Sequence, residues 1–301
     1  MLLTSYHIFL YHVNLFYEVW HSISFISLLV MVPRLGYTKQ RSFCRILNIW
    51  YGGITMLRFI ITALFVTLFL ICSIPLFFIE WIIGKFNMDI KNRSSLAIVN
   101  WAFRVVLFIS GVKITVIGEE NVPKDQAVLY IGNHRSFYDI IATYVRVPRP
   151  TGYIAKKELL KVPLLSIWMK YLHCLFLDRE NIKQGLQTIL TAIDKIKSGI
   201  SIFVFPEGTR NKVEGTFLPF HEGCFKIATK TGCPIVPVTL YNTSAIFEDH
   251  LPKIKSANIV IHYGTPFYAK DLSKEDQKRL GAYTQEIIAS TYASIREQYP
   301  L

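Results

Sequence analysis

Residues 59–79, FIITALFVTLFLICSIPLFFI, carry no charged side chain, with Arg58 just before them and Glu80 and Lys85 after. The run is as long as the roughly 20 residues that a bilayer-spanning helix needs. A core helix of that length ordinarily keeps a polar face, so the pattern predicts a membrane segment, bent but not forbidden by Pro75. Residues 7–33 are also apolar but are interrupted by His7, His12, Asn14, Glu18 and His21, which suits an interfacial helix. Residues 96–110, LAIVNWAFRVVLFIS, are short for a span. They predict an amphipathic helix that either half-enters the bilayer or caps a globular domain; the alternative is an ordinary core-packed helix.

From about residue 111 short apolar runs alternate with amphipathic ones, the pattern of an α/β domain. Strands are expected at Lys113–Ile117, Ala127–Gly132, Gly152–Ala155, Cys174–Leu177, Ser201–Phe205, Pro234–Leu240 and Asn258–Tyr263. Helices are expected from about Ser136, from Glu222 to Lys230 and from Ser273 to Gln298. Ile182, Leu186, Ile189, Leu190, Ile193 and Ile196 fall on one helical face, closed by Gly199. The pattern divides the chain into an N-terminal extension (1–55), membrane-anchoring helices (56–110) and the α/β domain (111–301).

Lys and Arg number 33 against 21 Asp and Glu, a net charge of +12, while 51% of residues are apolar and 18% charged. That composition excludes intrinsic disorder. Charge modifies the membrane picture: Arg34, Lys39, Arg41, Arg45 and Arg58 line one flank with no acid among them, as a cytoplasmic edge facing anionic lipid would. Lys85, Lys91 and Arg93 make the other flank basic too, so charge does not fix the orientation. Met56-Leu57-Arg58 resembles a natural start, and residues 1–55 are then either an upstream extension or part of the natural protein. The five cysteines show no CxxC spacing, so neither a zinc ribbon nor a thioredoxin motif is present. No metal site is expected. No RNP, zinc-finger or Gly-rich nucleotide motif supports a nucleic-acid partner, and a membrane surface or anionic ligand accounts better for the basic charge.

Candidate chemistry gathers where buried strands stop. The strand ending at Gly132 runs into Asn133-His134-Arg135-Ser136-Phe137-Tyr138-Asp139. His134 and Asp139 are too far apart in sequence to face each other on one helix. They meet if His134 lies in the turn and Asp139 in the first helical turn, with Ser136 as N-cap. Asp139 would then fix the imidazole tautomer and leave the other nitrogen as a base for a substrate hydroxyl. The bland alternative is an Asp that only caps a helix beside an unrelated loop histidine. The strand ending at Phe205 runs into Pro206-Glu207-Gly208-Thr209-Arg210. Gly208 permits a tight turn, and Arg210 offers a planar fork suited to phosphate. Glu207 would orient Arg210 or Lys156, or touch a substrate hydroxyl; the alternative is an ordinary polar loop with an internal Glu–Arg pair. Lys156 stands at a third strand end, as an anion ligand or a solvated lysine.

At this point the sequence resembles the 1-acyl-sn-glycerol-3-phosphate (lysophosphatidate or lysophospholipid) acyltransferases over about 96–265. NHRSFYD, AKKELLKVP, FPEGTR and GCPIVPV match the family's four blocks in order, and LDRE at 177–180 is also typical. The resemblance implies a glycerolphosphate acyltransferase-like fold, a mixed central sheet flanked by helices. It implies His134 as general base oriented by Asp139, and Arg210 with Lys156 on the acceptor phosphate, in a site shaped by Glu207, Gly208 and Thr209. Acyl-CoA or acyl carrier protein would be the donor, lysophosphatidate the acceptor, and the bilayer the source of one and sink of the product. No metal or other cofactor is required, and the site would face the cytoplasm. Backbone N–H groups at the 134–136 turn would hold the oxyanion. Ser166-Ile167-Trp168 departs from the family's Gly-Trp sequence, which leaves chain-length preference open. Three rivals remain: another lysophospholipid or lipid acceptor, an inactive membrane scaffold, and a hydrolase using Ser136, which lacks a G-x-S-x-G elbow.

Overall fold

The computed structural model describes residues 37–300, with side chains from residue 52 onward. The expected interfacial helix at 7–33 lies outside the described residues. The chain divides into two units, 1–54 and 55–301, and the second holds the sheet and every candidate site residue.

Helix α1 (Tyr37–Phe86) runs through Pro75 without a break. Helix α2 (Met88–Ser110) begins eight residues ahead of its expected start, because the Asn87 side chain accepts from Ile90 N and caps it. Gly111, at φ +67°, ends it in the left-handed conformation. Gly52–Phe86 and Met88–Ser110 are both long and apolar enough to cross a membrane. Ser94 and Ser95 of α2 both donate to Glu80 Oε2 of α1, at 3.0 and 2.9 Å.

The remaining elements are β1 (Lys113–Ile117), β2 (Leu129–Gly132), α3 (Phe137–Tyr144), β3 (Thr151–Lys156), α4 (Leu165–Tyr171), β4 (Leu175–Leu177), α5 (Ile182–Lys197), β5 (Ser201–Val204), α6 (Lys226–Thr231), β6 (Ile235–Tyr241), β7 (Asn258–Tyr263), α7 (Lys274–Lys278) and α8 (Leu280–Gln298). The strands form one seven-stranded sheet in the order β1-β7-β6-β2-β5-β3-β4. Every pair is parallel except β6 with β7, so the sheet is mixed. Strands β2, β5 and β6 lie centrally and are buried at every position, as strands covered on both faces must be.

Alternation along those strands divides the core in two. Tyr130, Phe203, Val236 and Val238 point to a layer shared with α1 to α4. Leu129, Ile131, Ile202, Val204 and Ile235 point to the opposite layer, with α5, α6 and α8. The helical hairpin is docked on the first layer along its length. Phe59 stacks on Phe247 at 5.9 Å, Trp168 Nε1 donates to Ser73 Oγ at 2.9 Å, and Tyr171 donates to the Phe77 carbonyl at 3.0 Å. Tyr138 and Ser110 share a hydrogen bond of 2.6 Å.

The structure differs from the sequence pattern at four places. Helix α4 has too few residues to show a periodicity, so no pattern marks it. The C-terminal helix is two, because the chain leaves helical geometry at Arg279; the helix expected from Glu222 begins as a 3-10 turn (Glu222–Phe225) before α6. The face expected on α5 is only half buried: Ile193 and Ile196 reach the core, but Ile182, Leu186 and Leu190 are 88%, 55% and 45% exposed. The edge strand β4 has three residues, too little sheet to cover the first half of a 16-residue helix.

Candidate active site

The backbone ladder between β2 and β6 ends at Gly132 and Val238. Asn133 then extends it with its side chain, donating to the Leu240 carbonyl at 2.9 Å and accepting from Leu240 N at 2.8 Å. This pins the chain where it leaves the sheet. Ser136 caps α3, its hydroxyl accepting from Tyr138 N and Asp139 closing a capping box.

Asp139 is fully buried. Its Oδ2 accepts from His134 Nδ1 at 2.8 Å, Arg135 N at 2.7 Å and Ser136 N at 2.8 Å. The two readings left open by sequence are thus one arrangement: Asp139 caps the helix and orients His134. An ionised carboxylate only accepts, so His134 carries its proton on Nδ1 and presents a lone pair on Nε2. That nitrogen has no protein partner among the described residues, and the side chain is 15% exposed. Phe205, at the end of β5, stacks on the imidazole at 4.2 Å.

The β5 loop holds the His134 peptide from both sides. His134 N donates to Glu207 Oε1 at 2.8 Å, and Asn211 N donates to the His134 carbonyl at 2.8 Å. Glu207 Oε2 accepts from Leu218 N at 2.9 Å. Burial pushes the Glu207 carboxyl above its usual range, opposed by those two N–H donors. Glu207 therefore orients neither Arg210 nor Lys156; both its oxygens are spent on backbone. Gly208, at φ +72°, makes the turn that lets Glu207 face inward. Thr209 is exposed at the loop's tip.

Arg210 pairs instead with Glu248, Nη1 to Oε1 at 3.0 Å, and lies over the Phe137 ring at 3.8 Å. Glu248 also accepts from Ser136 Oγ at 2.6 Å and Phe137 N at 2.8 Å. The structure thus brings His134, Asp139, Glu207, Gly208 and Arg210 together at the carboxyl ends of β2, β5 and β6, where ligands of open α/β sheets collect. Lys156 ends β3 at the same edge, exposed and without a side-chain partner among the described residues. The Thr209 side chain has no hydrogen-bond partner among the described residues.

Two sequence expectations fail here. The N–H groups of 134, 135 and 136 are committed to Glu207 and Asp139, so they are not available to an oxyanion. Ser136 is buried, and its hydroxyl is spent between Glu248 and Tyr138 N, which leaves no nucleophile for the hydrolase reading. Sequence reasoning missed Glu248 and Asn133. Asn133 sits inside the NHRSFYD block and was open to notice. Glu248 lies over a hundred positions from its partners Ser136 and Phe137, with no spacing to mark it.

A protein-family profile described as Acyltransferase matches residues 113–241. The 1-acyl-sn-glycerol-3-phosphate acyltransferase of Borreliella burgdorferi is 31% identical to this chain, over 68% of it and 81% of that protein. The protein of the same name from Haemophilus influenzae is 30% identical, over 69% of this chain and 86% of that one. The crystal structure of the 1-acyl-sn-glycerophosphate acyltransferase of Thermotoga maritima superposes with a TM-score of 0.69 at 23% identity, covering 80% of this chain and 97% of that one. That last likeness speaks for the fold.

Proposed function

The chain belongs to the acyltransferase family, and on that footing we propose that it transfers a fatty acyl group from acyl-CoA or acyl carrier protein to the sn-2 hydroxyl of lysophosphatidate, giving phosphatidate. The relatives named above support the acceptor. The observation that carries the reaction class is the His134–Asp139 pair: a base with its tautomer fixed and no nucleophile beside it, so the attacking oxygen comes from the substrate.

In the step that follows from this geometry, the acceptor hydroxyl approaches His134 Nε2. Its oxygen attacks the thioester carbonyl while its proton passes to Nε2, and Asp139 stabilises the resulting imidazolium. The tetrahedral intermediate collapses, the C–S bond breaks and the thiolate takes the proton back from Nε2. An ester and a free thiol remain. Arg210 and Lys156 supply positive charge for the acceptor's phosphate at the same sheet edge, with Gly208 and Thr209 shaping the loop between. The apolar hairpin α1–α2 seats the enzyme on the membrane that holds acceptor and product, with the site on the cytoplasmic side where the thioester donor arises.

The test is purified protein given labelled acyl-CoA and acyl carrier protein in parallel, with lysophosphatidate and a panel of other lysophospholipids as acceptors. Labelled phosphatidate from lysophosphatidate, at a kcat/KM at least tenfold above every other acceptor, is the expected result. Preference for an uncharged or choline-bearing acceptor would overturn the assignment.

A further inference from the structure

Glu248 is the residue at this site that no motif announces. Its carboxylate reaches three donors from two strand ends: Ser136 Oγ and Phe137 N at the start of α3, and Arg210 Nη1 beyond β5. Arg210 is held on two sides. The Phe137 ring covers one face of the guanidinium at 3.8 Å, and Glu248 takes one edge at 3.0 Å. The guanidinium has five N–H donors in a fixed plane, so holding one edge and one face aims the remaining edge. Arg210 stays 37% exposed, so the guanidinium is not closed off by these two contacts.

Glu248 is itself braced. The preceding residue, Phe247, stacks on Phe59 of α1 with rings nearly parallel. The following residue, Asp249, accepts from Ser244 Oγ at 3.0 Å, and Ser244 in turn accepts from buried Arg135 at 3.2 Å. Ile254 N donates to the Thr55 carbonyl of α1 at 3.2 Å. The segment after β6 is therefore tied to the apolar helix on one side and to the dyad's own loop on the other.

We propose that Glu248 is a positioning residue for acceptor recognition, fixing the Arg210 fork in the orientation that grips the acceptor's phosphate; this rests on the reading of Arg210 as a phosphate ligand. Glu248 touches no substrate atom. A carboxylate on one edge of a guanidinium offsets part of its charge but orients the remaining N–H donors, and a fork that must find its own orientation forms two parallel bonds less often.

The experiment is a double-mutant cycle on acceptor and donor kinetics. Glu248→Ala is expected to raise the KM for lysophosphatidate about tenfold, while donor KM moves less than about twofold. In an Arg210→Ala background the same substitution is expected to change acceptor KM less than about twofold, because there is no fork left to orient. Glu248→Gln keeps the shape and loses the charge, so it should fall between Ala and wild type. Phe247→Ala leaves every charge in place and should give the same pattern at smaller amplitude. An acceptor KM that responds equally to Glu248→Ala in both backgrounds, or matched changes in donor and acceptor KM, overturns the proposal alone. An acceptor KM that Arg210→Ala leaves unchanged overturns the phosphate reading beneath it. Should Glu248→Ala lower the melting temperature too far to assay, Phe247→Ala carries the same decision, and an unmoved acceptor KM in that folded variant counts against the proposal.

Discussion

One oxygen of Asp139 collects three N–H donors while the other has no partner among the described residues. The same atom therefore shapes the turn and holds the His134 imidazole, which is why sequence spacing left two readings open. Removing the imidazole is separable from removing the turn. His134→Ala is expected to lower turnover by about 10²–10⁴-fold with little change in melting temperature, since only a ring stack and one hydrogen bond are lost. More than a tenth of wild-type turnover in that variant would refute the base assignment. Asp139→Asn keeps an acceptor for the three donors but loses the charge. It should lose rate through weaker stabilisation of the imidazolium and also stability, about 1–3 kcal/mol. Charge-assisted hydrogen bonds become neutral ones, and an amide NH2 is buried where Oδ1 has no partner among the described residues. Calorimetry beside the rate assay tells the two substitutions apart. Glu207 shows the limit of motif reading: FPEGTR pointed to a Glu–Arg pair, yet the carboxylate binds the peptides of His134 and Leu218. Adjacency within a motif says which residues share a loop, and not which way each side chain turns.

At the scale of elements, periodicity found α5 but overstated its burial, because apolar spacing marks a face without showing how far the sheet beneath it extends. Leu186→Gln, on the uncovered half, should change stability by less than about 0.5 kcal/mol. Ile193→Ala, in the core, should cost about 2–5 kcal/mol. Denaturant melts of both decide whether the stripe stops where the structure says. A second element-scale device was invisible in sequence. His173 donates from Nε2 to Asn92 of α2 at 2.9 Å and accepts on Nδ1 from Lys195 of α5 at 3.1 Å. The ring must be neutral to do both, and burial, with Lys195 and Lys91 nearby, pushes its pKa down from 6.5 to about 4. Between those values the unfolded chain takes a proton that the native ring refuses, so stability falls as pH drops from 6.5 toward 4. Each pH unit in that window contributes at most about 1.4 kcal/mol, reduced by the ring's partial solvent access. His173→Gln should give a flatter melting temperature against pH over that range. An unchanged slope would remove His173 from the account.

At the scale of the whole molecule, the face of α1 turned to the protein mixes polar and apolar side chains, whereas the outer face is largely apolar. The side chains turned toward the protein include Thr55, Thr62, Ser73 and Glu80, all buried. Those turned outward, Leu57, Ile60, Leu64, Leu68, Ile71, Ile74 and Phe78, are apolar and exposed. The sequence showed a run of spanning length, and the fold adds what that run leaves free. Its inner face is held by the globular domain from Phe59 to Phe77, some 27 Å at the helical rise and close to the hydrocarbon thickness of a bilayer. Only the outer face remains for lipid, and an apolar surface of that extent marks an interaction site. The alternation of strands and helices gave the α/β class, while the sheet order depends on pairings between distant strands that no local pattern encodes. Aspartate on the outer face tests the assignment. Leu64→Asp with Ile71→Asp puts two charges where lipid is expected, each costing about 2.5–3.5 kcal/mol near a bilayer's centre and less toward its surface. Neither site faces the core, so the melting temperature in detergent should hold and transfer to a detergent-dispersed acceptor should persist. Flotation with anionic vesicles should fall by more than tenfold. A control pair on the inner face, Thr62→Asp with Ser73→Asp, should instead lower the melting temperature, because it places charges in a packed interface. Undiminished flotation of the outer-face variant would mean that this surface does not meet the membrane.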